Sequence, residues 1–99
     1  MQSKKMQLHS FKQSIKDAAP PANISVYLLA MWYDANGNWD KAHTIVDSLD
    51  DAIACWVHAY LHRKEADLGN ADYWYRRAGK KRPEYSLNEE WETIVKALG

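Results

Sequence analysis

Nowhere along this chain do apolar and polar residues alternate for the length of a strand. Apolar residues recur at intervals of three and four, and glycine, proline and asparagine cut that pattern into short pieces. A sheet needs a period of two, because successive side chains on a strand point to opposite faces. The chain is therefore expected to be all-α, with about six short helices in antiparallel helical hairpins. Leu8, Phe11 and Ile15 mark a first helix, ended by Ala19-Pro20-Pro21, since proline lacks an N–H and restricts the residue before it. Asn23 is a candidate N-cap for a second helix over 24–35, stopped by Asn36-Gly37. A third starts at Asn38 or Asp40 and runs to Ser48. Ser48-Leu49-Asp50-Asp51 reads as a capping box for a fourth over 51–66. Gly69-Asn70 turns the chain into a fifth over 71–78, closed by Gly79 and followed by Pro83. Ser86-Leu87-Asn88-Glu89 is a second capping box. It opens a sixth helix whose apolar face is Trp91, Ile94, Val95 and Leu98.

Ninety-nine residues make one domain, able to bury roughly two-thirds of its unfolded surface. Within it, 1–19 is expected to cap one end, 23–83 to hold two helix-hairpin repeats and 86–98 to cap the other end. The 13 basic and 13 acidic residues cancel, so no overall field draws the chain to nucleic acid or to an anionic membrane. The longest apolar-rich run, 24–33, is about half of what a bilayer span needs, and no membrane partner is expected. The first residues lack the apolar stretch of a secretory signal. The single cysteine, Cys55, forms no intramolecular disulfide, and the expected location is cytoplasmic. A charge balance of zero and five tryptophans bring a second copy of the chain among the expected partners.

Two segments carry a family resemblance. Gly37-x-Trp39-x-x-Ala42, followed by Leu49, and Ala66-x-Leu68-x-x-Ala71, followed by Tyr75, Ala78 and Pro83, resemble tetratricopeptide units. Tyr73-Trp74-Tyr75-Arg76-Arg77-Ala78 is similar to the second helix of Sel1-type repeats. The resemblance implies a tetratricopeptide-like right-handed stack, with Ala42 and Ala71 where paired helices cross. The spacing of the two units is shorter than the roughly 34 residues of a regular array, and the first has Ala54 where the terminal proline would stand. The stretch from His58 to Gly79 also resembles a segment of small bacterial proteins with no assigned activity.

That stretch, HAYLHRKEADLGNADYWYRRAG, holds more polar and aromatic side chains than a helical hairpin needs in order to fold. His58 and His62 are four residues apart and share one helix face, with Cys55 a turn before and Glu65 a turn after. These are metal-ligand types, but a zincin would place Glu where Ala59 stands, and a further ligand would have to come from elsewhere, such as His43. No ligand set closes along the sequence, and no metal or cofactor is expected. Periodicity puts Ile53, Trp56, Val57, Tyr60 and Leu61 on the core stripe with the histidines opposite. The repeat register turns Cys55, His58, Ala59 and His62 inward, toward a groove. A central helix flanked on both sides satisfies both readings.

Arg76, Arg77, Lys80, Lys81 and Arg82 concentrate positive charge at a helix end, where cations offset the macrodipole by roughly 0.3–1 kcal/mol each. Glu84, Glu89, Glu90 and Glu92 follow and are candidates to pair with them. Cys55 reads as a small buried hydrophobe, and Trp32, Trp39, Trp56 and Trp91 as packing. No nucleophile elbow, phosphate loop or dinucleotide turn is present, and no catalytic residue is assigned. The leading expectation is a non-enzymatic binding module for a peptide, a partner protein or a second copy. His58 and His62 would hydrogen-bond the ligand, Tyr73 and Trp74 pack on it, and Arg76 and Arg77 hold an acidic group. The alternatives are a small metal-dependent hydrolase using His58 and His62, and a purely structural homodimer.

Overall fold

Two helical hairpins stand side by side, each closed by a short connection. The computed structural model describes residues 7–98, so residues 1–6 of the expected N-terminal cap lie outside the described residues. Within them there are six helices and no strand: α1 (Leu8–Ser14), α2 (Val26–Ala35), α3 (Trp39–Asp47), α4 (Ala52–Lys64), α5 (Leu68–Arg77) and α6 (Leu87–Leu98). Helix α2 packs on α3, and α4 on α5. The hairpins meet through α3 and α4, and α6 lies across α2 and α4 with α1 against it. The all-α class is the one the periodicity predicts. No helix among the described residues is long and apolar enough to cross a membrane.

Each helix start has a local chemical cause. Asn38 accepts from the Lys41 N–H to open α3, and Asp51 accepts from the Ala54 N–H to open α4. The Ser86–Glu89 box closes in both directions, with the Glu89 N–H donating to Ser86 Oγ and the Ser86 N–H to Glu89 Oε1. Several expected boundaries move. Ser25, not Asn23, caps α2 by accepting from the Leu28 N–H, and Asn23 takes a left-handed turn at φ 64°. Ser48 ends α3, and Asp51 caps α4 without it. Helix α1 stops at Ser14, well before the prolines, where the backbone tightens into i→i+3 bonds such as Asp17 N–H to the Ser14 carbonyl at 2.9 Å, and the Trp32 indole donates to the same carbonyl at 3.1 Å. Gly69 and Asn70 lie inside α5. The turn before it is made by Ala66 at φ 63°, with the Asp67 N–H returning to the His62 carbonyl at 3.0 Å.

Helix α4 is the centre of the molecule. Ala54, Cys55, Val57, His58, Ala59, Tyr60, Leu61 and His62 are all buried, so both faces named by the two orientations are covered over most of the helix. Ile53, expected on the core stripe, lies exposed in the first turn, and Trp56 is half-buried. The larger core cluster joins Val57, Tyr60 and Leu61 to Phe11, Met31, Trp32, Val46, Trp91 and Ile94. A smaller one holds Ala59, Ala71 and Tyr75 between α4 and α5.

Two carboxylates are buried, and their partners reach in to them, Lys64 from a position that stays partly exposed. Glu90 has no exposed surface. It accepts from the Tyr75 hydroxyl at 2.7 Å, from Arg63 Nη1 at 2.8 Å and from the Trp56 indole at 3.2 Å. Asp34 accepts from the Tyr60 hydroxyl at 3.1 Å and from Lys64 Nζ at 3.0 Å. Burial pushes both phenols well above the ordinary tyrosine range, and the adjoining carboxylates add to the shift.

Two stability changes are expected. Ala66→Gly removes a left-handed Cβ clash that outweighs the added chain entropy, and should stabilise by about 0.5–1 kcal/mol in urea unfolding with an unchanged m-value. Glu90→Ala leaves Arg63 and Tyr75 without their acceptor, and should cost about 3–5 kcal/mol in the same assay.

Candidate functional site

Where α3, α4 and α5 meet, three imidazoles sit between two indoles. His43 comes from α3, and His58 and His62 from successive turns of α4. Ring centroids are 4.7 Å apart for His43 and His58, 4.9 Å for His58 and His62, and 5.2 Å for His43 and His62. Trp39 stacks on His43 at 4.9 Å with the planes 7° apart. Trp74 stacks on His58 at 3.9 Å and 11°. The Trp39 indole is held in place by donating to the Leu61 carbonyl at 2.9 Å.

The polar atoms of the cluster are unevenly satisfied. Nε2 of His43 and Nε2 of His58 face each other at 3.1 Å, so one must carry a proton and the other a lone pair. Nδ1 of His62 lies 2.8 Å from Glu65 Oε1 and 3.9 Å from Asp67 Oδ2. That carboxylate selects the Nδ1–H tautomer and leaves the lone pair on Nε2. His58 is 1% exposed, and its Nδ1 is buried without a partner. Asp47 Oδ1, one turn beyond His43 on α3, lies 4.0 Å from His58 Nε2. Burial pushes His58 down to about 4, and the neighbouring His43 and His62 add to the shift while Asp47 opposes it.

Outside the cluster, α5 presents two different faces. The Arg77 guanidinium lies 4.9 Å from the centre of the Trp74 ring and 5.8 Å from that of Tyr73, and Tyr73 is 45% exposed. Arg77, Trp74 and His58 thus form a continuous stack from surface to interior. Arg76 is about 100° further round the helix and borders a separate open pocket with Lys80, Lys81 and Arg82. Of the five cations, Arg82 pairs with Asp72 at 3.0 Å. Among the described residues, no acid pairs with Arg76, Arg77, Lys80 or Lys81. Three of the candidate acids are engaged elsewhere: Glu89 in the cap, Glu90 in the core, and Glu92 with Lys12 at 2.8 Å.

The structure therefore brings His58, His62, Tyr73, Trp74 and Arg77 into one connected site and leaves Arg76 outside it. His58 and His62 are buried beneath the indoles instead of lying open on a groove. Trp39 and Asp47 belong to the site although their spacing attracted no functional reading. The signal was that His43 and Asp47 repeat the four-residue separation of His58 and His62 on the preceding helix. Cys55 is buried, with Sγ 3.7 Å from the Asp50 carbonyl and its thiol pushed up mainly by burial. Comparison with protein-family models, with curated proteins and with solved structures finds no match to this chain.

The buried neutral His58 links folding to pH. Its folded-state value is below the unfolded one, so the unfolded chain binds more protons between about pH 6.5 and 4. Its contribution is complete above that window and is lost as pH falls through it, by an amount on the order of 3 kcal/mol. Urea midpoints across pH 4–7.5 in EDTA should fall steeply for the parent and less steeply for His58→Gln.

Proposed function

We propose that the protein is a non-enzymatic binding module that holds an acidic segment of a partner protein against α5 and the loop after it. The observation that carries this reading is the set of cations without carboxylate partners among the described residues, Arg76, Arg77, Lys80 and Lys81, concentrated on one part of a chain whose overall charge is zero. Such a concentration creates a local positive potential that the molecule as a whole lacks. Arg77 is held over two aromatic rings, which limits its freedom while leaving its planar fork for a carboxylate. Exposed Tyr73 beside it offers apolar surface to the same segment. The two hairpins, closed by connections 36–38 and 65–67, are read as a short tetratricopeptide-like stack, with α6 lying across both hairpins and α1 against α6. No catalytic residue is part of this reading.

The test is fluorescence anisotropy of a labelled oligoglutamate peptide at 0.15 M salt. Saturable binding should weaken at least tenfold when Arg76, Arg77 and Lys81 are changed together to Ala, with the melting temperature held within about 2 °C. Tightening at lower salt should accompany it. Absence of binding to the parent protein, or equal binding by the triple variant, would overturn the reading.

A further inference from the structure

We propose that His43, His58 and His62 bind a divalent transition-metal ion, best matched by zinc, with Asp47 as the fourth ligand. One ring nitrogen from each of the three histidines lies within 4.8 Å of the others. Nε2 of His43 and Nε2 of His58 are 3.1 Å apart. Two nitrogens on a tetrahedral zinc, each about 2.0–2.1 Å from the ion, are about 3.3 Å apart. This pair already stands at the separation of two ligands on one ion, and side-chain rotation brings in the third.

The helices make a two-sided clamp. His43 and Asp47 are four residues apart on α3, and His58 and His62 are four apart on the packed face of α4. Each pair projects from one helix face over successive turns, so three imidazole nitrogens converge from two rigid elements, and Asp47, already near His58, would join them by side-chain rotation. Asp47 Oδ1 is 4.0 Å from His58 Nε2, and its side chain is 61% exposed. It marks the side from which an ion reaches the cluster.

The surroundings are those of a ligand set more than of a packed core. Glu65 holds Nδ1 of His62, which leaves the lone pair on Nε2, now met by the Asn70 amide at 3.5 Å, to be exchanged onto an ion, the carboxylate–histidine arrangement that orients metal ligands. Trp39 and Trp74 cover the imidazole faces with apolar surface. As a purely structural feature the cluster is poorly justified. His58 is fully buried, one of its nitrogens has no partner, and the other meets only a second imidazole within hydrogen-bonding distance. An unpaired buried polar atom costs about 1–3 kcal/mol, which an aliphatic residue would avoid. Glu65 and Asp67 form another possible group with His62, but both are exposed and Glu65 is engaged in orienting the ring. Three imidazoles with one carboxylate favour zinc, cobalt, nickel or copper over magnesium or calcium.

The test is isothermal titration calorimetry of chelator-stripped, tag-free protein with zinc chloride, checked by competition with a chromophoric chelator. One zinc per chain, a dissociation constant below micromolar, a raised melting temperature and the intense visible bands of a tetrahedral site on cobalt substitution are expected. His43→Gln, at a half-buried position on α3, should weaken zinc at least 100-fold while the metal-free melting temperature stays near the parent's. Asp47→Asn should weaken it about tenfold, and Glu65→Gln 10–100-fold with the stoichiometry kept. Absence of one-to-one binding, parent-like affinity in His43→Gln, or binding matched by magnesium would overturn the proposal. Oligoglutamate is not the probe, so failure here is distinct from failure of the acidic-partner reading.

Discussion

Helix α4 has no solvent face for most of its length, and the rest of the molecule is arranged to cover it. Apolar residues on one side enter the main core, and small residues on the other admit α5 at close range. Burying such side chains supplies roughly 1.5–3 kcal/mol for each large one. A fully covered helix must also find partners for every polar group it carries. His58, Tyr60, His62 and Arg63 all lie on α4, and each accounts for a distinct tertiary contact. Tyr60 reaches Asp34 on α2, and Arg63 reaches Glu90 on α6. The histidines meet His43 on α3 and Trp74 on α5.

The two buried carboxylates and the imidazole cluster differ in how well they are satisfied. Glu90 is surrounded by three donors and Asp34 by two. Buried ion pairs of this kind add little net stability against an apolar replacement, but they penalise any packing that separates the partners. They therefore act mainly on how α6 and α2 seat against α4. The imidazole cluster leaves one buried nitrogen, His58 Nδ1, without a partner among the described residues, at a place where folding alone would favour aliphatic side chains. That unmet group separates a site from a core.

The His58–Trp74–Arg77 stack ties this interior site to the exposed face of α5. The cations beyond it have not been neutralised by the acids that follow them in sequence, because those acids serve a helix cap, a core network and a contact with α1. Proximity along the chain was a poor guide to ion pairing here. A helix end carries its residues away from the following segment, and pairing depends on where that segment is pinned. Glu90 is pinned inward by Tyr75 and Arg63, and Glu92 is drawn to Lys12.

Spacing and punctuation alone determined the all-α class, the existence of six helices, the Ser86 capping box and the buried face of α6. These depend on backbone geometry and on contacts within a few residues. The same local reasoning placed the start of α5 at Gly69-Asn70, whereas the chain turns at Ala66, and it ended α1 at the prolines, whereas the helix stops at Ser14. The same spacing makes His43 only a remote contributor, reads Trp39 as packing and gives Asp47 no role. Only the tertiary structure decided that α3 lies against α4 in the register that brings His43 onto His58 and His62, and that Arg76 and Arg77 serve different surfaces. The physical reason is that a helix's spacing shows which of its residues share a face, while the neighbour that covers the face is chosen by packing of the whole chain.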